Sequence, residues 1–355
     1  MIDPVELTAE LVRISSESGD AEGMREVQRR VAERIGDFIP GLYVRTGGEG
    51  RPWTLLSTDP TMRAPMIACH TDTVPFGEAS AWSHDPFGAE ITEGRLWGRG
   101  AVDMKGGLAA AAAALVAAGS NGATGHLLLT ADEEIGARGA HGAAQVLDEV
   151  PVTGVIIPEA TALRVRIRHR GACWVRLTSR GRAAHGSAPH RGVNAVLRLA
   201  KSVPQLLETA PLRDHPELGR ETASLGTFTG GISTNIVPEH ATATVDQRTV
   251  GQPDALLAHW RASEGIDEVE ALLDLPPLLT NPNAPFVAGL PAAVDPEPVT
   301  YFTDGSVLQA AHPGLPVVIW GPGEPEQMHA TDECVEVKQL HEAADLFARV
   351  LSGEH

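Results

Sequence analysis

Three apolar runs in this chain each break off into an acid or an imidazole, and that recurrence limits the fold more than any other feature. Met66–Cys69 runs into His70 and Asp72, His126–Thr130 into Asp132, Glu133 and Glu134, and Val155–Ile157 into Glu159. Short apolar runs bounded by polar residues read as buried strands, and the stretches between them, 107–118 and 135–148, read as helices. Strand alternating with helix is the pattern of an α/β sheet with crossover connections. In such sheets the functional site gathers at the carboxyl ends of the strands, which is where these polar residues stand.

Asp3, Pro4 and Glu6 mark a helix start: a capping carboxylate, a proline in the first turn and a glutamate three residues on. That helix runs to about Ile14, and a second covers about Ala21 to Phe38. From Arg164 to Arg191 the character changes, with eight arginines and no acid in an otherwise acidic chain. Strand ACWVRLTSRG, amphipathic helix 193–207 and alternating strand 240–250 follow, a second βαβ-type unit over 167–275 that reads as an inserted domain. Proline-rich DLPPLLTNPNAP returns the chain to the first sheet, which resumes with strand LPVVIWG (315–321) and helix 336–351. The first domain is thus split, 1–166 and 276–355.

The formal net charge of −18 disfavours nucleic acid and anionic membrane as partners. Three scattered cysteines, Cys69, Cys173 and Cys334, give neither a disulfide framework nor a thiolate metal site and suit a reducing cytoplasm. The N-terminus lacks a basic region followed by an apolar one, so no signal peptide is expected. The longest apolar tract, GLAAAAAALVAAG (107–119), is too short to span a bilayer and reads as a buried helix.

Residues i and i+2 of a strand share a side, so His70 and Asp72 point the same way, as a metal-binding imidazole and an orienting acid do. Alone, H-x-D is a common surface pair. Asp103 lies in the glycine-dense GRGAVDMKGG (98–107), where it could equally cap the helix that follows. The triplet Asp132-Glu133-Glu134 would repel itself in a partly buried site unless cations compensate. His329 sits in a loop after the last strand. Together, His70, Asp103, Glu134, Glu159 and His329 are the nitrogen and oxygen donors that suit zinc. Three carboxylates and one hydroxide balance two divalent ions, which asks one carboxylate to bridge and leaves a fourth acid as proton shuttle.

These segments resemble the metallopeptidase family of acetylornithine deacetylase, succinyl-diaminopimelate desuccinylase, carboxypeptidase G and the aminoacylases. HTDTVP, GRGAVDMKGG, ADEE, the isolated glutamate, RGRAAHGSAPHRGVNA and HATDE match in order across nearly the whole chain. The resemblance implies a mixed-sheet zinc-peptidase-like catalytic domain with an inserted, smaller α+β lid that dimerises. It implies that Asp103 bridges two metals, often through a cis peptide to Met104, that Glu134 and His329 complete one, and that His70 and Glu159 complete the other. Asp72 would orient His70, Glu133 would be the general base, His185 would stabilise the oxyanion in the partner's site, and Asn235 and Arg248 would bind substrate. Two departures stand out: Ala160 follows Glu159 where proline is common, and Asp332-Glu333 occupies a variable stretch.

The implied activity is hydrolysis of the amide bond of an N-acyl amino acid, acetylornithine-like substrates first, by metal-activated water, with two divalent ions, zinc first and cobalt or manganese as alternatives. Small-molecule substrates, a homodimer and a cytoplasmic location follow. A carboxypeptidase or dipeptidase is the alternative, and a catalytically silent binding protein on the same scaffold a further one. Every ligand and the base are present, which weighs against the last. No G-x-S-x-G elbow, phosphate-binding loop or H-E-x-x-H helix occurs.

Overall fold

The apolar runs form the middle of an eight-stranded mixed sheet. Its order is Tyr43–Gly47, Trp53–Ser57, His126–Thr130, Ala64–His70, Val152–Ala160, Val317–Gly321, Val165–Arg166 and Val294–Asp295. The four strands from His126–Thr130 to Val317–Gly321 are mutually parallel, and an antiparallel pair flanks them on one side. Register aligns the carboxyl ends: His70 faces Thr130, and Gly321 faces Ala160. All five residues of His126–Thr130 and of Val317–Gly321 are buried, as expected for parallel strands covered on both faces. The computed structural model describes residues 1–354 and divides into two units: residues 1–168, 278–297 and 303 onward in one, 169–277 and 298–302 in the other.

Helix Gly106–Ser120 lies against the strands of the first unit and is buried on nearly every side. Helices Pro4–Val12, Ala21–Gly36 and Val337–Ser352 pack on it. Such enclosure requires small side chains: at Gly107 a Cβ would stand 2.2 Å from the Pro158 carbonyl oxygen. Ala101–Ser120 is the one segment among the described residues long and apolar enough to cross a membrane, and it is buried within the protein along nearly its whole length. It is a core helix. Asp3 caps the first helix as its position predicts, accepting from Val5 N–H at 2.8 Å and Glu6 N–H at 3.2 Å, though that helix ends at Val12.

The helix expected over 135–148 is a correction. Residues 132–137 form a turn in which Gly136 and Ala137 both donate to the Glu133 carbonyl, Ala137 at φ 51°. A short helix, Arg138–Ala143, follows, and Ala144–Asp148 tightens to a narrower turn. Sequence periodicity continues through this stretch, but the backbone is bent to aim the acids.

The second unit is a four-stranded sheet in the order Thr222–Gly230, His240–Thr249, Gly171–Arg180, Glu268–Leu275, with every neighbouring pair antiparallel. The βαβ-type reading needs that qualification: strands joined through a helix run parallel, but one antiparallel strand lies between them. Helices Ala195–Glu208 and Asp254–Arg261 belong to this unit, and Leu199, Val203 and Trp260 pack on Cys173, Val175, Leu177, Ala243 and Val245. The arginine run is largely paired: Arg176 meets Glu270 at 2.6 Å and Arg180 meets Glu268 at 3.0 Å across adjacent strands.

Replacing Gly107 by alanine forces the helix off the Pro158 backbone. Chemical denaturation of Gly107→Ala should give a stability about 1–3 kcal/mol below that of the unchanged protein.

Candidate metal centre

The polar residues at the strand ends converge because the strands stop together. His70 is the last residue of Ala64–His70, and its N–H points at Met104 Sδ, 3.1 Å away. Asp103 lies in the tight turn Ala101–Lys105, entered through Gly100 at φ 83°, and the Asp103–Met104 peptide is cis. His329 is held at φ 62°, a conformation uncommon outside glycine that stores strain of order 1 kcal/mol and recurs at functional sites.

His70 Nε2 stands 3.1 Å from Asp103 Oδ1 and 3.2 Å from Glu159 Oε1. His329 Nε2 stands 3.2 Å from Asp103 Oδ2 and 2.9 Å from Glu134 Oε2. Asp103 thus shares one oxygen with each imidazole. His70 and Glu159 are buried, whereas the His329 side chain is half exposed, so one half of the centre is enclosed and the other open to solvent. His70, Asp103 and Glu134 each offer a donor atom within 4.8 Å of the others'.

Asp72 does more than contact the His70 imidazole. His70 Nδ1 is 3.1 Å from the Asp72 main-chain oxygen but 3.5 Å from its carboxylate. The carboxylate instead accepts from the N–H of Glu133 (3.1 Å), the N–H of Glu134 (3.2 Å) and the Ser18 hydroxyl (2.7 Å). It fixes the backbone that presents both glutamates.

Packed this closely and out of water, these groups shift one another's titration. Burial first, and then the Asp103 charge, push the carboxyl of Glu134 up to about 7 and that of Glu159 up to about 8. Burial likewise raises Glu133 well above the carboxylate range, against the opposing effect of His70. Hydrogen bonds to Asp103 and Glu134 raise His329 to about 10. Burial would lower His70, but Glu159, Asp103 and Asp72 outweigh it and hold the imidazole well above its usual value. Three buried carboxylate oxygens, Glu133 Oε1, Glu134 Oε1 and Glu159 Oε2, have no hydrogen-bond partner. Unpaired buried oxygens beside two imidazoles are what a pair of hard divalent cations would satisfy, so the donor set fits.

The remaining predicted residues lie in the second unit. His185 pairs with Ile236 as an isolated bridge, the Gly186 N–H donates to the Asn235 carbonyl at 2.7 Å, and the Ser233 hydroxyl donates to Asn235 Oδ1 at 2.6 Å. His185 and Asn235 are therefore neighbours. Arg248 lies over the Phe302 ring at 5.4 Å and pairs with Asp246 at 3.0 Å, while its Nη1 is buried and unpaired.

A model of the peptidase family M20/M25/M40 matches residues 66–353. The chain belongs to that family. As a member it is a metal-dependent amidohydrolase of mixed α/β fold. A protein of Cereibacter sphaeroides (strain KD131 / KCTC 12085) named succinyl-diaminopimelate desuccinylase is 33% identical, covering 99% of this chain and 98% of the relative. One of the same name from Rhodospirillum centenum is 31% identical, covering 98% of this chain and 96% of its own. Among solved structures, the M20 metallo-carboxypeptidase Sso-CP2 from Sulfolobus solfataricus shares the fold with a TM-score of 0.84 at 19% identity, covering 99% of both chains. The Bacillus subtilis YxeP protein, described as a dinuclear metal-binding peptidase, superposes with a TM-score of 0.67 at 14% identity, covering 98% of this chain and 96% of that one.

Two neighbours of the centre, Ser18 and Asp304, escape the sequence reading. Ser18 holds Asp72 from residues far away in the chain, and buried Asp304, bonded to the Thr130 hydroxyl at 2.5 Å, stands behind the acidic strand end. Neither carries a local motif: Ser18 meets Asp72 across 54 residues of chain, and Asp304 meets Thr130 across 174.

Because Glu134, Glu159 and His329 hold protons near neutrality and metal ligands must shed them, divalent-ion uptake at pH 7 should release protons. Calorimetry of zinc binding to the chelator-stripped protein should therefore show heats that vary with the ionisation enthalpy of the buffer, and added zinc should raise the unfolding temperature.

Proposed function

We propose that this M20 member hydrolyses the amide bond of an N-acyl amino acid, with N-succinyl substrates first, and works with two divalent ions, zinc ahead of cobalt or manganese. One observation carries the reading: Asp103 offers one carboxylate oxygen to each of two imidazoles, each flanked by a further glutamate. His70, Glu159 and Asp103 would hold one ion, and His329, Glu134 and Asp103 the other. When bound, the pair polarises the scissile carbonyl and lowers the pKa of water.

The protein's own groups account for the rest. Glu133 takes a proton from the attacking water as the water oxygen joins the acyl carbon, then returns it to the leaving nitrogen as the C–N bond breaks, giving a free amine and a carboxylic acid. Its unpaired Oε1 and its raised pKa suit a group that must both accept and release a proton. Asp72 orients Glu133 and Glu134 through their amides. His185, from a second copy of the chain, donates to the oxyanion. Arg248, with an unpaired Nη1, pairs with the substrate carboxylate, and Asn235 binds the substrate beside it. The second unit serves as lid and dimerisation domain: its edge strand Thr222–Gly230 is exposed and carries Leu225 and Phe228 on the surface. The cytoplasm is the location this chemistry suits, with all three cysteines free.

The names of the relatives support the succinyl group, and the free carboxylate of an amino acid suits Arg248. Incubation of the zinc-loaded protein with N-succinyl-diaminopimelate, N-acetylornithine and simple dipeptides, with released amine measured, tests the substrate. Release from the succinyl compound ahead of the others is expected. Release from dipeptides alone would replace this reading by a carboxypeptidase or dipeptidase. Glu133→Gln should keep both ions and lose turnover by about 10²–10⁴-fold; near-normal turnover removes Glu133 from the role of base.

A further inference from the structure

Glu333 lies four residues beyond His329 and is wholly buried. Neither of its oxygens faces an imidazole. Oε1 accepts the N–H of Val102 at 2.9 Å and of Asp103 at 3.1 Å, and Oε2 accepts the N–H of Gly100 at 3.0 Å and Arg99 Nη1 at 2.6 Å. Its main-chain oxygen accepts the Gly98 N–H at 2.9 Å. The residue before it, Asp332, accepts the N–H of Ser83 at 2.7 Å and of His84 at 3.2 Å.

The 98–103 turn thus directs three consecutive-turn amides and a guanidinium at one carboxylate brought from more than two hundred residues away. Without that acceptor the amides of Gly100, Val102 and Asp103 would be buried unpaired, and the turn, flexible at Gly98 (φ 144°) and Gly100 (φ 83°), would have other conformations open to it. The Asp103 N–H is among the bonds made, so the orientation of the shared carboxylate depends on the clamp. The same residue ties the His329 loop to that turn.

We propose that Glu333 is a positioning residue of the metal centre: its carboxylate locks the Asp103 turn and the His329 loop in one frame, so that the two Asp103 oxygens face the two imidazoles. The inference rests on the two-ion reading of the centre. A buried Arg99–Glu333 pair that serves stability alone is the competing account, and it differs in one respect. Positioning acts through the amides and needs Glu333 but not Arg99. A stability pair needs both equally.

The test uses full-length protein stripped of metal, titrated with cobalt(II) and followed by its d–d absorption, with zinc affinity from competition with a chromophoric chelator and folding checked by thermal melts. Glu333→Gln, which turns a donor towards the Gly100 N–H, should weaken binding of at least one ion by about 10–100-fold and change the cobalt spectrum. Arg99→Gln should lower the melting temperature yet leave both affinities within about threefold, since three amide bonds remain. Equal weakening in the two variants, or unchanged affinity in Glu333→Gln, overturns the inference. If Glu333→Gln does not fold, Glu333→Asp, which keeps the charge and retracts it by one methylene, is judged by the same criteria. An unchanged protein that binds no ion removes the two-ion reading itself, whereas two tight ions in both it and Glu333→Gln remove only the role of Glu333.

Discussion

Mutual repulsion among buried carboxylates governs the first unit. Asp72, Asp103, Glu133, Glu134, Glu159, Asp304 and Glu333 gather near the carboxyl ends of the parallel strands, and all but the partly buried Glu134 are buried. Charges so placed must be hydrogen-bonded, protonated or matched by cations. The molecule divides them accordingly. Asp72 and Glu333 are saturated by backbone amides and hold turns in place, while Glu133, Glu134 and Glu159 keep an oxygen unpaired.

That division explains what could be read from the chain. Strand ends were legible because a buried parallel strand is apolar throughout, so His70 and Glu159 stand out against their neighbours. The alanine-rich helix was legible for a similar reason. The stretch after Glu134 was not: its composition suits a helix, but Asp72 binds the amides of Glu133 and Glu134 and bends the chain first. Asp72 itself was read as a partner of His70, and its larger task depends on a contact 61 residues along the chain.

Glu333 shows the same limit. An acid four residues beyond His329 carries no local signal of its partners, which lie 230 and more residues earlier. Recognition by motif finds groups that face the reacting atoms, because their spacing is tied to strand ends. It passes over the groups that hold those in position, since their constraint is set by packing between distant segments.

Helix Gly106–Ser120 has almost no outward side, with backbone of a neighbouring strand against Gly107. Divergence within it is therefore confined to residues scarcely larger than those present, so drift in this chain must accumulate elsewhere, in the outer helices and the exposed strand of the second unit. Two sequences that keep this segment nearly unchanged while differing widely around it would be obeying a shortage of room, with no shared substrate needed to explain the match.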